Sequence, residues 1–180
     1  MVSNYAARMI ECLDSQQAQA ALPELIELLR DAVDNGASVG FLPSLDEQLA
    51  REYWADVVRA VAKQSRILLV ARNESKMVGT VQLDLCTRQN GLHRAEVMKL
   101  LVHTAWRRQG IGEALMRALE REAMQAKRTT LVLDTRAGDP SEALYAKLGY
   151  TRAGLIPQYA EGANGVLDTT AIYYRLLEKE

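Results

Sequence analysis

Hydrophobic positions in the first third of the chain follow a helical period. Leu22, Leu25, Ile26, Leu29 and Val33 lie three or four residues apart, so one helix face is apolar, and the stripe stops at Asn35-Gly36, a pair suited to ending a helix. Pro23 falls near the start, where its missing N–H does little harm. Leu45, Leu49, Tyr53, Val57 and Val61 repeat the pattern, and Ser44 stands three residues ahead of Glu47 with the spacing of a capping box. Two helices are therefore expected before the main sheet. Ahead of them, Asp14-Ser15-Gln16-Gln17 is a polar break able to cap a helix, and residues 5–10 read as a short first strand.

The period then changes. Residues 66–72 and 77–86 are apolar runs rich in β-branched residues, and the polar Asn73-Glu74-Ser75-Lys76 between them predicts an antiparallel hairpin. A turn at Gln89-Asn90-Gly91 returns the chain into a strand over residues 94–102. Ile111, Leu115, Ala118, Leu119, Ala123 and Ala126 again recur at helical spacing. A strand over 129–135, a helix over 140–148 ended by Gly149, and strands over 150–155 and 169–177 complete the series. A meander followed by a strand–helix–strand crossover predicts a mixed α/β sheet, with its parallel portion beside the glycine-bearing loop.

Composition narrows the functional classes. The 180 residues suit a single domain over 1–180, and a net charge of −1 provides no overall field to attract nucleic acid or an anionic membrane. The longest apolar runs are about five residues, against roughly 20 for a membrane span. Cys12 and Cys86 form no CxxC pair, and with only His93 and His103 no metal cluster is expected. Nothing cationic in the sequence marks Cys86 as reactive, so it is read as core. His93 is expected at the surface beside its turn, and His103 as structural. The pattern fits a reduced, cytoplasmic protein without a signal segment, acting as a monomer or homodimer.

The segment from Val102 to Gly112 places Arg107, Arg108, Gln109, Gly110, Ile111 and Gly112 between a strand and an amphipathic helix. A helix start with small residues exposes backbone N–H groups and the positive dipole end, which together bind anions without a motif lysine. A dinucleotide fingerprint would need a third small residue where Leu115 stands, and no GxxxxGK[ST] loop is present. What remains, Arg-x-x-Gly-x-Gly after a strand, resembles the acetyl-coenzyme A signature of the Gcn5-related N-acetyltransferase (GNAT) superfamily. Residues 141–150, with Leu144-Tyr145 ahead of Gly149-Tyr150, resemble that family's second block, although Gly138 stands where the family often carries asparagine. Gly36-Ala37-Ser38-Val39-Gly40-Phe41, Asn90-Gly91-Leu92, Arg94-Ala95-Glu96-Val97, Lys99-Leu100, Leu133-Asp134-Thr135 and Tyr150-Thr151-Arg152 are similar, more narrowly, to the tabtoxin-resistance branch, which acetylates a β-lactam toxin.

The resemblance implies a GNAT fold, with a mostly antiparallel sheet of six to seven strands splayed where acetyl-CoA binds. It implies that residues 107–112 hold the cofactor's pyrophosphate, that Leu100, Leu101 and Val102 offer backbone groups to its pantetheine arm, and that Ser141 and Tyr145 complete the contact. Tyr145 is then a general acid for the leaving thiolate, since a phenol of pKa about 10 can protonate a thiolate of about 8.5 within hydrogen-bond reach. Glu96 and Asp134 are carboxylates within strands, costly to bury unless paired, for example with Arg94 or Lys99, or working; either or both can serve as the base. Phe41, Asp84 and Tyr159 are candidates for the acceptor pocket, with residues 36–43 and a loop over 157–170 closing on a compact acceptor. The expected activity is direct transfer from acetyl-CoA to a small-molecule amine, such as a toxin or antibiotic. Acetylation of a protein terminus or lysine, and a noncatalytic acyl-CoA sensor, stand as alternatives.

Overall fold

The structure, a computed structural model, describes residues 9–178. Residues 5–8 of the predicted first strand lie outside that range; the described strand is β1, Met9–Cys12. Three helices follow rather than two: α1 (Ser15–Ala20), α2 (Leu22–Asp34) and α3 (Glu47–Ala62). The first is built by the capping signal, because the Asp14 carboxylate accepts from the Gln17 N–H at 2.8 Å while the Gln17 amide oxygen accepts from Asp14 N–H at 2.9 Å. At α3 the expected Ser44–Glu47 box gives way to Asp46, whose carboxylate accepts from Leu49 N–H at 2.9 Å. The acid two residues nearer the helix can bond the first turn's donors from an extended backbone, which Ser44 cannot reach.

Strands β2 (Arg66–Asn73), β3 (Lys76–Leu85) and β4 (Arg94–Val102) form the expected meander. Helix α4 (Ile111–Gln125) leads to β5 (Thr130–Arg136), and α5 (Ser141–Lys147) leads to β6 (Thr151–Glu161) and β7 (Leu167–Leu176). The sheet order is β1-β2-β3-β4-β5-β7-β6, and only β4 and β5 run parallel. Most of the expected 157–170 loop is therefore strand. Antiparallel pairing of β6 with β7 breaks between Ile156 and Ala160, where residues 157–159 bulge opposite Thr169, resumes at Ala160 and Glu161, and leaves a turn over 162–166.

Central β3 is buried on both faces along most of its length. Leu69, Val81, Leu83, Val97, Leu131 and Leu133 pack against Leu115, Met116 and Leu119 of α4 and Tyr145 of α5. On the opposite face Leu68, Val70, Met77 and Leu101 pack against Leu25, Leu29, Trp54 and Val57 of α2 and α3. The carboxylate of Asp31 on α2 ties these helices to the segment that follows β4. It accepts from Thr104 N–H at 2.8 Å and from the Thr104 hydroxyl at 2.7 Å. Truncation to Asp31→Ala strands a backbone donor and is expected to cost about 1–3 kcal/mol, read as a lower urea midpoint at unchanged m.

Candidate active site

The sheet parts between its two parallel strands. Pairing of β4 with β5 covers only Arg94 to Glu96 against Thr130 to Val132. Beyond Glu96 the β5-facing edge of β4 has no strand partner, while the opposite edge still pairs through Leu101 with Thr80 and through Val102 with Gly79. A bulge sits at the parting point: Lys99 and Leu100 both lie opposite Val81, and Lys99 adopts a φ of 50°. One extra residue reverses the alternation of the strand. Ala95 and Val97 pack toward α4 ahead of the bulge, Leu100 and Val102 do so after it, and Leu101 turns to the other core.

The parting opens a cleft of about 310 Å3. Of the residues singled out from sequence, Glu96, Leu100, Asp134, Ser141, Tyr145 and Tyr159 line it. Phe41 lines an adjoining cavity of about 250 Å3 and meets the Tyr53 ring edge-on at 5.4 Å. Asp84 is not brought to the cleft wall; Arg66 binds its carboxylate through Nε at 3.0 Å and Nη2 at 2.7 Å. Arg66, Asp84, Glu96 and Val132 form one row across four strands, so Asp84 stands directly opposite Glu96 in the ladder. Two carboxylates so placed repel, and Arg66 offsets one of them.

Glu96 and Asp134 share the face that looks toward α2 and α3, Asp134 two residues beyond the last β5 partner of β4. Neither is ion-paired among the described residues, so the expected partnership of Glu96 with Arg94 or Lys99 is not formed. Desolvation by the cleft walls, then the charges of Asp134 and Asp84, push the Glu96 carboxyl above its ordinary range. The Asp134 carboxylate accepts from the Thr170 hydroxyl at 3.2 Å, which fixes it to β7.

Tyr145 is buried on α5, with its ring 5.9 Å from those of Tyr150 and Tyr173. Burial, then the charge of Asp139, raise its phenol well above the usual value, while a hydrogen bond with Ser141 pulls the other way. The Ser141 hydroxyl is itself 2.9 Å from that of Thr135 on β5, linking α5 to the wall that carries Asp134. Gly138 uses its N–H on the Glu142 carboxylate at 2.6 Å, so the position where the family often has asparagine is spent on a local turn.

At the other end of β4 a short 3-10 turn over Thr104–Trp106 leads into the glycine loop. His103 caps this turn, its Nδ1 accepting from Ala105 N–H at 3.2 Å, in keeping with a structural part. Gly110 is the N-cap of α4 at φ 79°, a left-handed conformation that glycine adopts freely, and no side chain caps the helix. The first intrahelical bond runs from Ala114 N–H to Gly110 C=O, so the N–H groups of Ile111, Gly112 and Glu113 precede the helical ladder. The Ile111 side chain is core; only its backbone belongs to this end. Arg107, Arg108, Gln109 and Gly110 are exposed, with Arg107 Nε donating to Val102 C=O at 3.2 Å.

Three residues emerge that sequence reading did not assign to the site. Lys99 lines the cleft with its Nζ 5.4 Å from the centre of the Tyr53 ring, and burial lowers its pKa. Arg136 lines it too, but lies 3.6 Å from Asp139 and 3.7 Å from Asp168. Tyr53 faces Gln82, whose amide donates to the phenol oxygen at 2.9 Å, and burial pushes that phenol up to about 12. The bulge that turns Lys99 inward has no signature in residue type or period. Cys86 departs from the core reading: it is half-buried, and a backbone hydrogen bond at Arg88, then the Arg94 guanidinium at 3.7 Å, lower its thiol pKa.

Residues 22–150 match the model of the acetyltransferase (GNAT) family. Among solved structures, the chain is similar to the ribosomal-protein-alanine N-acetyltransferase of Brucella melitensis, with a TM-score of 0.77 and 24% identity over 94% of this chain and 99% of that one. A Salmonella typhimurium protein assigned as an acetyltransferase and solved with its cofactor acetyl-CoA aligns with a TM-score of 0.78 at 19% identity, covering 97% and 96% of the two chains. One assigned as a phosphinothricin N-acetyltransferase aligns with a TM-score of 0.79 at 19% identity, covering 96% and 100%. These three likenesses carry the fold. With the family match spanning both the glycine loop and the tyrosine helix, the chain belongs to the GNAT family and is an acetyltransferase that works with acetyl-CoA.

Proposed function

We propose that this enzyme acetylates the amine of a small molecule by direct attack within a ternary complex. The observation that carries the reading is the one cleft that Glu96, Asp134, Ser141 and Tyr145 all line. The uncapped, glycine-led start of α4 fits a diphosphate, with the N–H groups of Ile111, Gly112 and Glu113 as donors and Arg107 and Arg108 as a cationic rim. The unpaired edge of β4 beyond Glu96 suits an amide-bearing pantetheine arm, which would extend the sheet as an added strand along Leu100, Leu101 and Val102. Bound there, acetyl-CoA supplies an activated acetyl thioester.

Glu96, aided by Asp134, takes the proton of the incoming ammonium, since a carboxylate with a raised pKa is a competent base near neutrality. The amine nitrogen attacks the thioester carbonyl carbon, the C–N bond forming as the C–S bond breaks; Tyr145 supplies a proton to the sulfur, and the second proton that the nitrogen sheds in becoming an amide restores the phenol by way of water. Its raised pKa keeps the phenol protonated through the working range and makes full transfer uphill, so the proton passes as the thiolate charge develops. Because residues 157–161 are strand, closure over the acceptor falls to residues 36–43, whose Ala37, Ser38, Val39 and Gly40 line the cleft. A relative that bears the name of a phosphinothricin acetyltransferase supports a small-molecule acceptor, and extends the resemblance to the tabtoxin-resistance branch toward toxin or antibiotic inactivation. A relative named for ribosomal-protein alanine supports the competing acceptor, a peptide terminus.

Calorimetry should detect acetyl-CoA binding, and thiol release should depend on added amine, with small amines outpacing peptides; the reverse preference assigns a protein acceptor. Tyr145→Phe should lower kcat about 100-fold or more with little change in acetyl-CoA affinity, and unchanged turnover removes the proton-donor role. Activity in the parent enzyme should fall as pH drops through the raised Glu96 pKa, above the ordinary carboxylate value of about 4.3. Glu96→Gln should move that acidic limb, and a limb left in place reassigns the base.

A further inference from the structure

The ionisable side chains of the cleft divide into a satisfied set and an unsatisfied one. Arg136 is held between Asp139 at 3.6 Å and Asp168 at 3.7 Å, so these three charges are spoken for. Glu96, Asp134 and Lys99 remain, and none of them takes part in an ion pair among the described residues. They lie on one wall: Glu96 and Asp134 beside the parting of β4 and β5, Lys99 three residues further along β4 at the bulge. Lys99 holds a left-handed backbone that a lysine rarely adopts, and its ammonium stands within van der Waals range of a Cβ built on Gly40, 3.7 Å away. The long side chain thus lies between the Tyr53 ring and the 36–43 segment, partly exposed to the cleft.

Two anions and one cation, whose fields reach one another across the cleft but which share no salt bridge among the described residues, describe the inverse of a zwitterion. We propose that the acceptor is an amino-acid-like zwitterion, whose ammonium lies between Glu96 and Asp134 and whose carboxylate is anchored by Lys99. This rests on the acetyltransferase reading above and adds the carboxylate as the determinant of acceptor choice. Lys99 is a positioning residue: it holds the acceptor so that the deprotonated amine faces the thioester, and takes no proton itself. The partly buried Lys99 ammonium makes no ion pair among the described residues, and a carboxylate on the acceptor gives it a direct, charge-assisted contact.

The test sets free L-amino acids against their α-amides and their decarboxylated amines, with thiol release as the readout. The parent enzyme should turn over free acids, with KM values about 10- to 100-fold lower than those of the matched amides or amines, the value of one charge-assisted hydrogen bond. Lys99→Met should raise KM for the free acids by the same factor, leave KM for the amides unmoved, and leave acetyl-CoA affinity by calorimetry unchanged. Amides or amines used as well as free acids, or no free acid used at all while acetyl-CoA still binds, would overturn the zwitterion assignment alone. A loss of kcat in Lys99→Met that is equal for every acceptor makes the lysine a proton acceptor and overturns the anchor. Absence of acetyl-CoA binding in the parent protein overturns the acetyltransferase reading itself, and this inference with it.

Discussion

Backbone groups inside a sheet are normally paired, and the parting of β4 from β5 is an interior exception to which the candidate cleft owes its existence. After Glu96 and Val132 the two parallel strands diverge, and one edge of β4 runs on with its other edge still laddered to β3. Such an edge is held rigid from behind and open in front, so an amide-bearing ligand can pair with it at small entropic cost. The bulge at Lys99 and Leu100 adds a second effect by reversing which side chains face each core. Without it, the strand could not pack Val97 and Leu100 on the same helix layer while turning Leu101 and Lys99 the other way.

The helices hold this opening apart in different ways. On one side α4 packs its apolar stripe onto β2, β3 and β4 and aims its uncapped end past the close of β4. Opposite, Asp31 of α2 grips Thr104 by two hydrogen bonds, so the segment entering the glycine loop is tied to both layers. The small helix α5 is bridged to β5 through Ser141 and Thr135, which sets the buried Tyr145 against the wall that carries Asp134. Charge follows the same division. Arg66 pairs with Asp84, and Arg136 lies between Asp139 and Asp168, whereas Glu96, Asp134 and Lys99 line the cleft with no salt bridge among the described residues.

Local patterns were informative wherever one short stretch settles its own structure. Period-3.6 stripes located α2, α3 and α4, and the glycine pair located the loop ahead of α4, whereas the polar break at Asp14 to Gln17 showed only that a helix could be capped there. Patterns failed where a choice depended on something distant. Ser44 and Asp46 both suit an N-cap, and only the path into α3 favours Asp46. The stretch over 157–170 reads as loop, yet Ala160, Glu161 and residues 167–170 pair between β6 and β7, and only 157–159 bulge out of the ladder. Asp84 looked available until Arg66, 18 residues away in sequence, was found on it.

By itself, then, the order of residues determined the element types, the mixed sheet, and the loop and tyrosine blocks that mark a GNAT acetyltransferase, because helix periods, strand runs and glycine turns are local in the chain. Tertiary structure alone decided where β4 and β5 part, which way Lys99 turns, and which carboxylates remain unpaired in the cleft. Those properties arise from register and from charges brought together across strands, and neither is written in any contiguous stretch of sequence.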